Sequence, residues 1–358
     1  MSRFLITSDL HFTDRDRDQY RWELFPWLEK QLLRRHCQHL FILGDITDHK
    51  DHHSSRLTNR IVSSLKGLIQ KTKVTVHLLK GNHDYIDPKL PFFSFLNTWD
   101  LEKLKFYIAP QKIELEDARD VTSIYMLPHS NALETTKPFQ RTGRYFIRHV
   151  DFVFCHQGLI GALASNGFCL KEGVSPSLLK KTFPRAQIVS GDIHVPQVCS
   201  GIYYVGAPYP VHFGDTFHPR VLFWDGGSLI SILRQGIQRR VISLFYPEQI
   251  KKMELFPGDQ VRIQLHLSRE DFDSWEKFKK DTLALADKMK LEVFAIELRE
   301  RKRKRLDLKK VSLQERNSIQ SPEEALKKFC ALKELPPNVR HTGKDLLQEA
   351  ILLGKSEK

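Results

Sequence analysis

A repeated pattern constrains the fold more than any other feature of the sequence: short apolar segments end in residues that bind metal ions. The segments are rich in Leu, Ile, Val and Phe, as buried strands are. Five endings follow one another along the chain: Ser8-Asp9-Leu10-His11, Gly44-Asp45, Gly81-Asn82-His83-Asp84, Cys155-His156 and Gly191-Asp192-Ile193-His194. One Gly-Asp pair carries no information, but an ordered series of five indicates a shared function.

These endings predict one metal site. In open α/β folds the loops at the carboxyl ends of strands meet in one crevice, so residues far apart in sequence can share a site. Oxygen ligands mixed with imidazoles suit manganese, magnesium, zinc or iron, and nothing in the series suggests a sulfur ligand. A carboxylate such as Asp45 can bridge two ions about 3.5–4 Å apart, which acidifies a water between them and neutralises a phosphate. This chemistry fits hydrolysis of a phosphoester.

The arrangement of apolar residues predicts an α/β fold. Strand-like and helical segments alternate over the first 100 residues, and the second helix carries Leu57, Ile61, Leu65 and Leu68 on one side, as a helix packed on a sheet does. Short strands follow near residues 112–116, 122–127, 152–155, 187–190, 202–205, 221–224 and 228–233, and we assign them to a second, mixed or antiparallel sheet. After Gly236, three strands around a helix at residues 271–289 indicate a separate small α/β module.

We therefore predict three parts. Residues 1–235 form a two-sheet sandwich flanked by helices, residues 236–306 form the smaller module, and residues 307–358 form a linker with helical segments. No apolar run reaches the roughly 18 residues of a membrane-spanning helix, and Met1 leads directly into a strand without a signal peptide. We expect a soluble, intracellular protein with no membrane association. The net charge of +13 favours a polyanionic partner, which can be nucleic acid or anionic lipid.

The order of the five endings resembles the calcineurin-like metallophosphoesterase superfamily, whose pattern is D-x-H, GD, GNH[DE], a single His and GHxH. The resemblance spans roughly residues 3–230. It implies that two divalent ions are bound, that Asp45 bridges them and that His83 is the catalytic imidazole, which assists the leaving oxygen. It assigns the remaining ligands as Asp9, His11 and His194 for the first ion and Asn82, His156 and Asp192 for the second.

One ending departs from that pattern. The superfamily has GHxH where this sequence has Gly191-Asp192-Ile193-His194, so that a carboxylate replaces an imidazole at the second ion. An aspartate can bind a metal, and its added negative charge is expected to favour a harder ion. The Asp192 assignment therefore rests on position within the motif.

Within the superfamily, the sequence resembles the SbcD-type subunits of double-strand-break repair nucleases. The resemblance rests on Thr7-Ser8-Asp9-Leu10-His11, Gly44-Asp45-Ile46-Thr47-Asp48 and Val205-Gly206-Ala207-Pro208-Tyr209-Pro210, and the small module corresponds to a domain that caps the DNA groove. It implies a manganese-dependent (Mg²⁺ also possible) 3′–5′ exonuclease and hairpin or single-strand endonuclease. It further implies a DNA-associated homodimer whose C-terminal helices bind an SbcC-type coiled-coil ATPase.

Two other functions remain open. One is a phosphodiesterase or phosphatase of the same superfamily that acts on small substrates, and the other is a DNA-binding scaffold with weakened catalysis, for which Asp192 is the only hint. The phosphatase motifs GDxVDRG and GNHE are absent from this sequence. No GxxxxGK[ST] loop suggests that the chain hydrolyses ATP itself.

Several basic residues have more than one interpretation. His49, His52 and His53 can contact DNA, although a solvated loop is favoured, and His129, His149 and His212 are assigned structural or surface roles. The basic run from Arg299 to Arg305 can contact the DNA backbone or be solvent-exposed. The apolar residues of the C-terminal segment can bind a partner or pack on their own domain: Leu326, Phe329, Cys330, Leu332, Leu346, Leu347, Ile351 and Leu352.

Overall fold

The computed structural model describes residues 2–50, 52–98, 102–117, 120–130 and 150–301, together with the single residues Leu326, Lys344 and Leu347. The chain divides into two units, residues 1–300 and residues 301–358. The predicted C-terminal helices and the residues of the basic run after Arg301 lie almost wholly outside the described part. The architecture below is that of the first unit.

The described residues of this unit form fifteen strands and four helices. The strands are β1 (Phe4–Thr7), β2 (His39–Ile42), β3 (Thr75–Leu79), β4 (Leu104–Tyr107), β5 (Gln111–Asp117), β6 (Asp120–Leu127), β7 (Phe152–His156), β8 (Gln187–Gly191), β9 (Gln197–Cys199), β10 (Ile202–Tyr204), β11 (Arg220–Trp224), β12 (Leu229–Leu233), β13 (Arg239–Leu244), β14 (Gln260–Leu267) and β15 (Glu292–Glu300). The helices are α1 (Leu24–Arg34), α2 (Ser55–Thr72), α3 (Pro176–Thr182) and α4 (Trp275–Lys288). Short 3₁₀ segments span Asp16–Glu23, Phe92–Thr98, Pro247–Lys252 and Arg269–Ser274.

Two six-stranded mixed sheets form the larger part. The first has the order β12-β11-β1-β2-β3-β4, in which β1 to β4 are parallel. The second has the order β5-β6-β7-β8-β10-β9, in which β6, β7, β8 and β10 are parallel. The predicted sandwich of two sheets flanked by helices is confirmed. One assignment was wrong: β11 and β12 extend the first sheet, because β11 pairs antiparallel with β1.

A buried aromatic core lies between the two sheets. Phe4 and Phe41 of the first sheet contact Phe152 and Phe154 of the second, with ring centres 5.4 Å apart for Phe4 and Phe152 and 4.7 Å apart for Phe41 and Phe154. Strands that are apolar on both faces are typical of parallel sheets covered on both sides. This core fixes the two sheets against each other, and with them the strand ends that carry the predicted ligands.

The helices cover the outer faces, as α2 illustrates. Its predicted apolar stripe is buried, and Ser54 caps its first turn by accepting a hydrogen bond from the Leu57 N–H at 3.0 Å. The helix ends at Thr72, and the left-handed backbone of the next residue, Lys73 (φ 63°), closes the last turn. Among the described residues, no helix is long and apolar enough to cross a membrane.

The smaller module is a parallel three-stranded sheet, β13-β14-β15, with α4 packed on it. Ile263, Leu265 and Ala286 lie in its own buried core. The predicted module after Gly236 is therefore present as an α/β unit. Its proposed boundaries, 236 and 306, stay a prediction.

Candidate metal centre

The predicted ligands converge on one crevice. Asp9 and His11 follow β1, Asp45 follows β2, and Asn82 follows β3, and these three strands are parallel neighbours in the first sheet. His156 ends β7 and Asp192 and His194 follow β8, its parallel neighbour in the second sheet. The carboxyl ends of both sheets thus face the same space, as the sequence pattern predicted.

One cluster of ligand atoms joins Asp9, His11 and His194, and these atoms lie within 4.8 Å of one another. The Nε2 atoms of His11 and His194 face each other at 3.1 Å. Because a neutral imidazole has one nitrogen with a free electron pair, two such atoms aimed at one point suit a shared cation. The three residues are those that the family pattern assigns to the first ion.

The Asp45 carboxylate lies between the two halves of the site. Its Oδ2 is 3.5 Å from Nε2 of His11, and its Oδ1 is 3.4 Å from Nε2 of His156. Both oxygens are buried, and each lies near a residue that the family pattern assigns to a different ion. This geometry fits a bridging ligand.

A second cluster contains Asp9, Asp45 and His156, again with ligand atoms within 4.8 Å. His156 donates a hydrogen bond from Nδ1 to the Leu43 carbonyl at 2.6 Å, which leaves the electron pair of Nε2 for a metal. The Asn82 amide presents one atom to Nε2 of His156 at 2.9 Å and to both Asp45 oxygens at 3.0 Å. As oxygen, that atom meets only electron pairs, and a cation among them would satisfy all three residues.

Asp192 stands at the edge of this second half. Its Oδ1 is 3.7 Å from Nε2 of His156, and its backbone N–H donates to Oδ1 of Asp9 at 3.1 Å. Among the described residues, Asp192 belongs to none of the three clusters of ligand atoms within 4.8 Å. Its assignment as a ligand stays a prediction.

The electrostatics of the crevice favour a bound cation. Burial raises the pKa of Asp9 to about 7, and nearby Asp45 and Asp192 act in the same direction. Burial also raises the pKa of Asp192. A buried carboxylate is stable in its ionised form only beside positive charge, and divalent ions at the two clusters would supply it. The residues present therefore fit a dinuclear site with mixed oxygen and nitrogen ligands.

Four of the predicted ligands have a backbone that non-glycine residues rarely adopt. The φ angles are 56° for Asp9, 44° for His11, 54° for Asp45 and 80° for Asp192. Such conformations cost about 1–3 kcal/mol each and persist only where surrounding contacts enforce them. Arg21 is one such contact, because its guanidinium donates to the carbonyl of His11.

Gly81 allows two ligand loops to approach each other closely. A Cβ at this position would lie 2.3 Å from Oδ1 of Asp45 and 2.4 Å from the Asp45 nitrogen. Only glycine fits there without displacing the bridging carboxylate. The Gly81-Asn82-His83-Asp84 motif thus begins with a steric requirement.

Asp84 connects the same two loops by hydrogen bonds. Its buried carboxylate accepts bonds from the N–H groups of Gly81 (2.7 Å), Asp45 (2.9 Å) and Ile46 (2.9 Å). These contacts hold the backbone of both loops, and none of them involves the His83 side chain. Asp84 therefore helps to position Asp45, the predicted bridging ligand.

His83 lies beside the metal cluster with a fixed ring orientation. Its Nδ1 donates to the Asp48 carbonyl at 2.7 Å, and its backbone N–H donates to Oδ1 of Asp45 at 2.8 Å. The ring centre is 4.9 Å from that of His11, and His83 forms a third cluster with His11 and Asp45. The Nε2 atom is thus available for a substrate, as the predicted catalytic role requires, although a metal-binding role is also compatible with this position.

Three further residues line the site that sequence reasoning did not assign to it. Asp48 places Oδ1 3.5 Å from Nδ1 of His11. His129 follows β6, the neighbour of β7, and its ring centre is 6.1 Å from that of His156. Burial lowers the pKa of His129 to about 4. The strand-end rule would have found His129, because it lies two residues beyond Leu127, the end of β6.

His212 is the third of these residues, and its ring stacks on His194 with centres 5.3 Å apart. Nothing in the local sequence marks it. The loop histidines have other contacts: His49 Nε2 is 2.8 Å from the Arg15 guanidinium, and His53 stacks on Phe92 with ring centres 3.9 Å apart. His149 lies outside the described residues.

The sequence matches one known protein family. The family model described as calcineurin-like phosphoesterase matches residues 2–196. A comparison with curated proteins finds no match. Among solved structures, a dimetal phosphatase from Danio rerio is 13% identical, with a TM-score of 0.41. The alignment covers 66% of this chain and 97% of the phosphatase. GAP50, the anchor in the inner membrane complex of Plasmodium, is 10% identical, with a TM-score of 0.41. That alignment covers 65% of this chain and 84% of GAP50.

The family match covers more than half of the sequence and includes each strand end that carries a predicted ligand. The match and the clustered ligands together imply phosphoester hydrolysis at a site that typically holds two divalent metal ions. The chain belongs to the calcineurin-like phosphoesterase family.

Proposed function

We propose that this protein is a metal-dependent DNA nuclease, a 3′–5′ exonuclease and hairpin or single-strand endonuclease similar to SbcD-type subunits. Two divalent ions at the site, for which we propose Mn²⁺, would neutralise the phosphate and acidify the attacking water. The chain's own residues would do the rest. Asp45 would hold the two ions together, and His83 would donate a proton to the departing oxygen from Nε2.

A group of cationic and aromatic side chains beside the predicted metal ligands favours a polymeric substrate. Phe213, which lines the same cavity as His194, packs on Phe294 of β15 with ring centres 4.9 Å apart. Arg262 of β14 lies over Phe213 at 4.6 Å, and Arg17 lies over Phe294 at 5.8 Å. Arginines bind phosphates and aromatic rings stack on bases, so this surface suits a single strand that continues past the cleaved bond.

The net charge of +13 supports the same substrate class. We further propose a DNA-associated, cytoplasmic homodimer that works with an SbcC-type coiled-coil ATPase. The support for the dimer and for the ATPase is the family resemblance alone, because the predicted partner-binding helices lie almost wholly outside the described residues.

The test is a Mn²⁺-dependent cleavage assay on hairpin, single-stranded and duplex DNA. We expect the wild-type protein to cut at least one of these substrates, and His83→Ala to abolish cleavage while it retains bound Mn²⁺. The matched control is His218→Ala, an exposed histidine that faces a different groove. Hydrolysis of nucleotide monoesters without cleavage of any DNA would favour a small-substrate phosphatase. Binding of DNA without hydrolysis of any phosphoester would favour a scaffold.

A further inference from the structure

A cavity of about 380 Å³ opens beside the first half of the metal site. The residues that line it include Ser165, Asn166, His212, Phe213 and two of the predicted metal ligands, Asp192 and His194. Pockets for small organic groups have volumes of about 300–1,000 Å³, so this one can hold a single nucleoside. A phosphate bound at the metal cluster would direct one of its two substituents into this space.

His212 lies where the cavity meets the metal ligands. The residue is exposed, and its ring stacks on His194 at an interplanar angle of 29°. Within the described residues, the His212 ring nitrogens make no hydrogen bond. An exposed imidazole with free hydrogen-bonding capacity next to a metal ligand is suited to contact the substrate.

Hydrogen bonds from surrounding residues hold the backbone of the loop that carries His212. The buried Asp215 carboxylate accepts hydrogen bonds from the N–H groups of Val211 and His212, both at 2.8 Å. The hydroxyl of Tyr20 donates to the Pro210 carbonyl at 2.6 Å. Arg239, the first residue of β13, donates to the Val211 carbonyl at 2.7 Å.

The same contacts fix this loop relative to the metal ligands. Arg21 donates to the Val211 carbonyl at 3.2 Å and also to the carbonyl of His11. The buried Asp18 carboxylate pairs with both Arg21 and Arg239. One buried charged network therefore sets the position of the loop carrying His212 against a predicted ligand of the first ion. Buried ion pairs contribute little net stability, and fixing a geometry is their best-attested use.

We propose that His212 is a substrate-binding residue that donates a hydrogen bond to the phosphate next to the one hydrolysed, with the intervening nucleoside in the cavity. The inference rests on the proposed nuclease function. It places the contact on a flanking nucleotide, because His212 lines the cavity and its ring stacks on His194, whereas the His83 ring contacts that of His11. A substrate without a second phosphate would not make this contact.

The test compares two substrates. One is a short single-stranded oligodeoxynucleotide, and the other is bis(p-nitrophenyl) phosphate, a diester with one phosphate. In His212→Ala we expect KM for the oligonucleotide to rise by about tenfold, the loss of one hydrogen bond to a charged group. We expect kcat/KM for the small diester and the bound Mn²⁺ to stay within about twofold of the wild-type values. His212→Gln, which retains an N–H donor, should recover part of the oligonucleotide affinity.

His218→Ala serves as the matched control, with both substrates unaffected. Equal losses on both substrates with reduced Mn²⁺ binding would show that His212 only supports His194 and would overturn the inference. Unchanged kinetics on both substrates would overturn it as well. If the wild-type protein hydrolyses the small diester but no oligonucleotide, the nuclease proposal itself fails, and this inference falls with it.

Discussion

Substitution of Asp84 should weaken the metal site although Asp84 is not itself a predicted ligand. It is fully buried and accepts three backbone hydrogen bonds, two at Oδ2 and one at Oδ1. In Asp84→Asn the amide oxygen can take the place of Oδ2 and accept from the Gly81 and Asp45 N–H groups. The NH₂ group then faces the Ile46 N–H. One bond to a charged acceptor is lost, and two donors oppose each other in a buried place.

The magnitude follows from these contacts. A hydrogen bond to a charged group is worth about 1.5–3 kcal/mol, and an unsatisfied buried donor costs about 1–3 kcal/mol. Burial raises the pKa of Asp84 to about 6, and the charge of Asp45 acts in the same direction, so removing the Asp84 charge returns part of this cost. We expect the free energy of unfolding to fall by about 3 kcal/mol. Because the Asp45 N–H is one of the donors, affinity for Mn²⁺ should also fall by about 10- to 100-fold.

Urea unfolding at pH 7.5 in the presence of EDTA measures the first effect, and calorimetric titration with Mn²⁺ measures the second. Asp87→Asn is the matched control, because Asp87 lies in the same loop, is exposed, and its carboxylate accepts one backbone hydrogen bond, from Lys89. A variant Asp84→Asn with wild-type stability and wild-type Mn²⁺ affinity would refute the idea that Asp84 positions the bridging ligand.

Three other predictions concern stability and the steric limits of the site. Burial lowers the pKa of His39 to about 4 and that of His77 well below 6.5, so both residues bind fewer protons in the folded state than in the unfolded state. The free energy of unfolding should therefore decrease as the pH is lowered from 6.5 to 4, by about 2 kcal/mol at pH 5 for His39 alone. In His39→Gln, urea unfolding should show a smaller decrease over the same pH range. Gly81→Ala should abolish Mn²⁺ binding and hydrolysis, because its Cβ would overlap Asp45; wild-type metal content in this variant would contradict the close approach. Gly67→Ala, in the middle of α2 with no atom within 4 Å of the added Cβ, should raise the free energy of unfolding by about 0.5–1 kcal/mol, which thermal unfolding can check.

The predicted ligands could be found from sequence because each is covalently next to a strand. A short apolar run identifies the strand, and parallel packing brings the carboxyl ends of neighbouring strands together. This reasoning selected six residues that the structure brings close together: Asp9, His11, Asp45, Asn82, His156 and His194. It failed for β11 and β12, whose pattern shows that they are strands but not which sheet they join.

The residues that support the ligands could not be found in this way. Asp18 and Arg239 are 221 positions apart and meet only because the small module packs on the 3₁₀ segment before α1. His212 reaches His194 through a loop whose shape depends on Tyr20, Arg21 and Asp215. These contacts depend on how distant elements pack, which local periodicity does not encode.

The sequence by itself therefore determined the fold class, the family pattern and the strand ends that carry the metal chemistry, because periodicity and adjacency along the chain are local properties. Only the tertiary structure decided which face of the site is open to a substrate, how the Asp84 carboxylate joins two ligand loops, and where His129 and His212 stand. Those features arise from packing between residues distant in the chain, where burial and backbone hydrogen bonds select one arrangement.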